Sequence, residues 1–506
     1  MKEILIKNKY FIILWIVCIV ALVISLGHYS GVLIDFGREV YYPERILHGD
    51  ILYKDLFNIY GPLAYQINAG LYKIFGAKLS TLYGAGAVCS LLTVSGVYLL
   101  ANRYMSKLLS FSLGLFTIAV GVTTTSIFNF HFPYSWAVLY GLIAFIYSLY
   151  FIKEKLWLSA LLAGICVTCK YDFILYAFVV LFLIVKQRDW KALLSFVSIP
   201  VLSFGVLFAQ GLQISDLVNS LTIVKNMAKS KTLVYFYQNS GIYFHPKALL
   251  MDLLLFLKFV IPFGGILLGT WKNKKIITII SFILAIIFFD AKVMFGFLPM
   301  LLTILIVASL RANISERGNL IIMQISVLLA SAKVFWVLIM GSYGTYYVSL
   351  LLIALLSLLP RKFDKVVGIY FILLSIFVFV VNSMGSYVKT PDKIVNYVKE
   401  NTKPTDKVVV FPEGMIINFL TNRQSDGFYN SMLPLYVETF GEDKIIEHFR
   451  ANKPEYIILN NLNMKDYYFE YICKDYALDF CKFVQENYEL VNVIDDGYRY
   501  SIFMLK

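Results

Sequence analysis

Stretches of roughly twenty apolar residues recur along most of this 506-residue chain, and they restrict its fold more than any other feature. A run of that length, wound as an α-helix, crosses the hydrocarbon core of a bilayer. In lipid every backbone N–H and C=O must find its partner inside the protein, and a helix meets that demand within itself. The composition agrees, with 59% of residues hydrophobic and only 15% charged, where a soluble domain lies nearer half and a quarter. The expected fold is therefore a polytopic all-α membrane domain.

Thirteen runs are read, at roughly 10–27, 79–101, 108–127, 136–152, 156–170, 173–186, 192–210, 248–270, 276–289, 293–310, 319–340, 345–359 and 366–384. Lys2, Lys7 and Lys9 precede the first, and later basic clusters, such as Lys153 with Lys155 or Lys272 with Lys274 and Lys275, fall on alternate turns. Basic residues are retained on the cytoplasmic side. The N-terminus is thus expected in the cytoplasm, and thirteen crossings place the C-terminal segment outside the cell membrane. The same clustering accounts for the net charge of +13 and removes nucleic acid as a partner. No small-residue cleavage site follows the first run, which is expected to stay as a span.

Residues 386–506 are polar and are expected to form a small α/β domain on the extracytoplasmic side, beside a membrane domain at 1–385. "DKVVVF" (406–411) and "EYIILN" (455–460) read as buried strands, "KIIEHFRANKP" as a helix ending before Pro454, and "YELVNVIDDGYRYSIFML" as a hairpin turning at Asp-Asp-Gly. Cys473 and Cys481 would lie about 12 Å apart on one continuous helix, too far to bridge, so a disulfide requires a break between them. Cys166 and Cys169 form a CxxC inside an apolar run, where small buried residues are the simpler reading than redox chemistry.

The segment between the first two runs does not suit a plain connection. "IDFGREVYYPERILHGDILYKDLFNIYGPL" (34–63) holds Asp35, Glu39, Glu44, Asp50 and Asp55 among its charges. Phe36 to Leu47 has the pattern of an amphipathic helix lying at the membrane interface, closed by Gly49. Asp35 stands where an N-cap would stand. Glu39, four residues on, shares or nearly shares its face, and paired carboxylates at a membrane edge serve as base and as metal or acceptor ligand. The plainer reading of Glu39 is a solvated face or a pair with Arg38 or Arg45.

This segment, "D-x-G-R-E-x-Y-x-P-x-R-I-L-x-G-x-x-L-Y-x-D-x-F-x-x-Y-G-P-L", resembles the first outer loop of bacterial GT-C membrane glycosyltransferases, relatives of the protein O-mannosyltransferases and of the aminoarabinose transferase of lipid A. "FPEGMIINFLTNRQ" (411–424) is similar to the start of the outer domain in that family. The resemblance implies transfer of a sugar from a polyprenyl phosphate to a lipid, glycan or protein acceptor outside the membrane, with inversion and with Asp35 as general base. Many members have adjacent Asp-Glu, whereas Glu39 here is four residues from Asp35. The role of Glu39 and any use of a divalent metal therefore stay open.

A lipid-phosphate donor calls for cations on the outer side. Candidates are Arg38, Arg45 and Lys54 in the first loop, Lys225 and Lys229, spaced to share a helix face, and Lys333 in the outer half of its run. Lys170 beside Asp172 in "CKYD" is another, and it reads equally as a snorkelling Lys or as an ion pair. Tyr60, Tyr134 and Tyr343 fall in outer loops and have rings that can stack on a sugar. No two His share ligand spacing, so no zinc site is expected, and no Gly-rich phosphate loop signals a nucleotide. Two other readings fit the composition. One is a flippase of lipid-linked sugars, against which stand the absence of repeated halves and the large outer domain. The other is a non-catalytic polysaccharide-assembly protein.

Overall fold

Among the described residues, the expected apolar runs carry helices. The computed structural model describes residues 9–27, 33, 36–240, 246–289, 291–311, 318–332, 341–383 and 390–506. Among these, Leu79–Ala101, Trp190–Gln210, Leu253–Trp271 and Arg361–Ser383 are long and apolar enough to cross a membrane. The other runs carry shorter apolar helices, including Lys9–Ser25, Trp136–Phe151, Leu156–Cys169 and Lys275–Ile287. The run at 108–127 begins as an α-helix, Lys107–Thr117, and widens to a π-turn over Ile118–Val122. Asn382 Nδ2 donates to the Ala119 carbonyl at 3.0 Å there, supplying a partner for a carbonyl that the wider turn displaces.

By internal packing the chain forms two compact units. One comprises Met1–Ser30, Tyr83–Leu202 and Ser240–Tyr387; the other comprises Gly31–Leu82, Ser203–Asn239 and Val388–Lys506. In the first, buried hydroxyls pair across the apolar helices. Ser148 Oγ donates to the Ser159 carbonyl at 2.6 Å and lies 2.6 Å from the Tyr176 hydroxyl. Polar side chains away from water need such partners.

The second unit is built on four strands, β1 (Val408–Phe411), β2 (Tyr456–Asn460), β3 (Tyr488–Asp496) and β4 (Tyr498–Leu505), in the order β1-β2-β4-β3. β1 and β2 run parallel and the other pairings are antiparallel. The all-apolar "VVVF" is buried along its whole length, as a parallel strand covered on both faces must be. Gly497 turns the β3–β4 hairpin at φ +78°, the conformation for which the Asp-Asp-Gly stretch is suited. Asp496 Oδ2 then accepts from the Lys393 and Ile394 amides at 2.8 and 3.2 Å, satisfying the first turn of the Asp392–Asn401 helix.

Segments far from the tail complete this unit because they carry apolar faces that fit it. Phe57 meets Phe428, Tyr436 and Phe440 at ring-centroid distances of 5.5, 5.9 and 5.1 Å. Tyr72 stacks on Phe419 at 5.8 Å.

Cys473 and Cys481 are joined by a disulfide, with Cα atoms 5.5 Å apart. The break that this needs is present: Cys473 and Ala477 both turn the chain at positive φ, and the following helix starts only at Leu478. A short closed loop is expected to contribute about 2–3 kcal/mol. The Cys473→Ser/Cys481→Ser variant should lose that much unfolding free energy and unfold at a lower denaturant concentration, and an unchanged midpoint for the loss of the sheet signal would refute the contribution.

Candidate functional site

The Phe36–Leu47 helix forms over the residues the sequence singles out and stops before Gly49, whose φ is +101°. It does not lie free on a surface: Phe36, Gly37, Glu39 and Val40 through Glu44 are all buried. Gly37 explains how. A Cβ there would stand 2.7 Å from the Ile416 amide nitrogen, so only glycine lets this helix approach the Met415–Thr421 helix so closely. The Phe36–Leu47 and Met415–Thr421 helices, into which the two resembling stretches run, thereby pack on each other within one unit.

Glu39 is 1% exposed. Its Oε1 accepts from the Tyr65 hydroxyl at 2.9 Å and from Arg38 Nε and Nη2 at 3.3 Å each. The Arg38 guanidinium lies 5.1 Å from the Tyr60 ring centroid, a cation–π distance. Tyr60 is in turn fixed by Asn58, which donates to its carbonyl at 2.8 Å and accepts from its amide at 3.1 Å. The solvated-face reading of Glu39 is thus corrected, and its pairing with Arg38 holds. Burial pushes the Tyr42 hydroxyl up to about 12, with Arg38 pulling it back. Burial also raises the Tyr65 hydroxyl well above its ordinary value, and the Glu39 charge adds to that. Both phenols stay protonated donors at neutral pH.

Arg38, Tyr42, Glu413, Asn430, Ser431 and Tyr436 line a cavity of about 20 Å³, roughly the room one water needs. Glu413 is the contributor that residue-by-residue reading passed over, although it stands in the quoted "FPEG". Glu44 was passed over too. It is buried, and among the described residues its Oε2 has no hydrogen-bond partner. Burial raises its carboxyl above the usual 4.5, with His48 and Arg45 opposing. The unfolded chain therefore loses this proton first, and stability falls as pH rises from about the unfolded pKa toward the higher folded one. Glu44→Gln should melt at a higher temperature than the parent at neutral pH and at the same temperature in mild acid. A parallel shift at both would contradict the linkage.

The other candidates are dispersed. Arg45 is held by Asp50 through two hydrogen bonds of 2.8 and 3.2 Å. Lys54 is exposed and reaches the Gly211 carbonyl at 3.4 Å. Lys225 and Lys229 do not share a helix face: the Ile214–Met227 helix ends between them, and Ser230 begins the next helix by accepting from the Leu233 amide at 3.1 Å. In the first unit Lys170, 1% exposed, pairs with Asp172 at 3.7 Å, and Tyr134 packs edge-on to Phe128 at 5.7 Å. Asp35 and Lys333 lie outside the described residues, as does the side chain of Tyr343. Among the described residues no three His, Cys, Asp or Glu gather as a metal site, and Glu39 already faces a guanidinium.

A larger cleft, of about 810 Å³, lies elsewhere in the second unit, lined by Lys229, Lys231 and Tyr235, by Glu438, and by residues 467–469 and 475–479. Glu438 caps the helix that starts at Lys231, accepting from the Lys231 and Thr232 amides at 2.8 and 2.9 Å and from the Thr232 hydroxyl. Burial alone would raise its pKa, but these hydrogen bonds from Thr232 and Lys231 hold it below the usual carboxylate value.

Fold and site together define a helical chain with membrane-length apolar helices, in which a polar segment between the first two runs builds a buried Arg–Glu–Tyr cluster with an α/β sheet unit. No family model and no curated protein matches the sequence. Among solved structures the chain is similar to ArnT from Cupriavidus metallidurans bound to undecaprenyl phosphate, at 13% identity and TM-score 0.47 over 98% of each chain. It is also similar to the oligosaccharyltransferase of Archaeoglobus fulgidus tethered with an acceptor peptide, at 13% identity and TM-score 0.46 over 99% of this chain and 74% of the other. A third is the archaeal oligosaccharyltransferase AglB from Archaeoglobus fulgidus with an inhibitory peptide and a dolichol-phosphate, at 13% identity and TM-score 0.43 over 90% and 70%.

Proposed function

We propose that this chain is an integral-membrane glycosyltransferase that moves a sugar from a polyprenyl-phosphate donor to an acceptor hydroxyl on the outer side of the cell membrane. The observation that carries the reading is the docking of the "DFGRE" helix on the "FPEGM" helix through Gly37: two segments of independent resemblance meet in one unit. Asp35, directly before the helix, takes the acceptor proton. The acceptor oxygen attacks the anomeric carbon opposite the phosphate, the bond from that carbon to the phosphate oxygen breaks, and polyprenyl phosphate leaves with the electron pair, giving inversion. Arg38 meets the phosphate charge together with the exposed Lys54 and Lys225. Glu39, with Tyr65, orients Arg38 and is not a second base. The membrane part is assigned to 1–385 and the outer part to 386–506.

Reconstituted in liposomes with a radiolabelled polyprenyl-phosphate sugar and envelope extract, the chain should label an acceptor. Donor crossing the bilayer with no label transferred would favour a flippase instead.

The proposed topology has a cytoplasmic N-terminus, thirteen crossings and an outer C-terminus. The alternating Lys/Arg clusters support it, as does the Cys473–Cys481 disulfide, a bond that persists in oxidising surroundings. Alkaline phosphatase fused after Lys506 should be active and a cytoplasm-dependent fluorescent reporter dark; the reverse result would exclude an outer C-terminus.

A further inference from the structure

We infer that the larger cleft of the second unit is a saccharide-binding site, formed by Tyr235, Tyr467 and Tyr468 with Asp479 at its rim, that holds a glycan acceptor. Its role as acceptor site rests on the transferase reading; its binding of saccharide does not. The cleft, at about 810 Å³, is of ligand size. Tyr468 is 73% exposed, an unusual placement for a large ring, and its backbone is held at φ +76°, a conformation that bulky residues seldom adopt without a purpose. Tyr235 stands edge-on to it at 5.0 Å, and Phe236 stacks on Tyr467 at 5.2 Å, so the platform is braced from behind. The disulfide-closed loop, which carries Asp475 and Asp479, lines the same cleft.

The chemistry of the walls selects the occupant. Glu438, Glu442, Asp475 and Asp479 outnumber Lys229 and Lys231, which disfavours a phosphate and a lipid headgroup of negative charge. The lining mixes these charges with aromatic rings and with Val234, Val437 and Leu478, a mixture that suits a ligand with apolar faces and a polar edge better than a plain acyl chain. A pyranose presents C–H groups on its faces and hydroxyls around its edge. Aromatic rings accommodate the first; Glu438, Glu442 and Asp475 already accept from backbone amides, and Asp479 is the carboxylate assigned to the second. This also reassigns Lys229: it faces this cleft rather than joining Lys225 in a donor-phosphate site.

The test uses the full chain in nanodiscs and, as probe, the oligosaccharide pool released by mild acid from the envelope of cells that make the protein, with binding read by saturation-transfer NMR. Transfer to sugar protons is expected, and Tyr468→Ala with Asp479→Asn should weaken binding at least about tenfold with the melting temperature unchanged. Tyr468→Phe should retain most of it. No transfer to any member of the pool, full binding in the double variant, or displacement by envelope peptides but not by oligosaccharides would overturn the inference. Binding that is lost in the variant, in a protein that transfers no sugar, would leave this site standing and defeat the transferase reading. Sugar transfer unaffected by the variant would leave the transferase reading standing and overturn the cleft's role as acceptor site.

Discussion

Asp35→Asn should express and melt like the parent and transfer sugar at least about a hundredfold more slowly, because a positioned carboxylate base supplies roughly 10²–10⁴-fold. An acceptor hydroxyl is a poor nucleophile until its proton is removed. Asparagine keeps the side-chain shape and caps a helix about as well as aspartate, and Asp35 directly precedes the Phe36–Leu47 helix. It cannot accept the proton. Capping alone makes the opposite forecast: Asn tolerated, and Ala losing about 1 kcal/mol of stability. Single-turnover transfer from the labelled donor, beside thermal melts of the Asn and Ala variants, separates the two. Full transfer by the Asn variant would sink the catalytic assignment.

Glu39→Ala is expected to lower stability by about 2–3 kcal/mol, because it removes the buried carboxylate to which the half-buried Arg38 guanidinium donates. Arg38 retains the Tyr60 ring, which is weaker compensation. The Tyr65 hydroxyl also loses its acceptor. Tyr65→Phe removes one hydrogen bond and should lower stability by only about 1–2 kcal/mol. Denaturant unfolding of the purified chain reads both. A small loss for Glu39→Ala together with abolished transfer would make Glu39 a catalytic group rather than the one that orients Arg38, so measuring both properties on the same variant decides its role.

Much of the secondary structure could be read directly. The Leu79–Ala101 and Phe36–Leu47 helices, the four strands and the turn at Gly497 occupy the expected residues within a few positions. These features follow from local chemistry, namely apolar runs, period-two alternation and glycine at positive φ. The end of the Ile214–Met227 helix was missed, since "KNMAKSK" contains no glycine or proline and Ser230 acts as a cap only once the next helix forms.

The sequence by itself determined that the chain is helical and apolar, where its polar segments fall, and which of them resemble a glycosyltransferase. Those are properties of neighbouring residues. Only the tertiary structure decided which partners the charges take: Glu39 with Arg38 and Tyr65, Arg45 with Asp50. It alone showed that "DFGRE" and "FPEGM" meet, and that residues 31–82 and 203–239 belong with the tail. A contact between distant segments depends on shape, on the missing Cβ of Gly37 and the buried face beside it, and shape of that kind is set by the folded chain rather than by any local pattern.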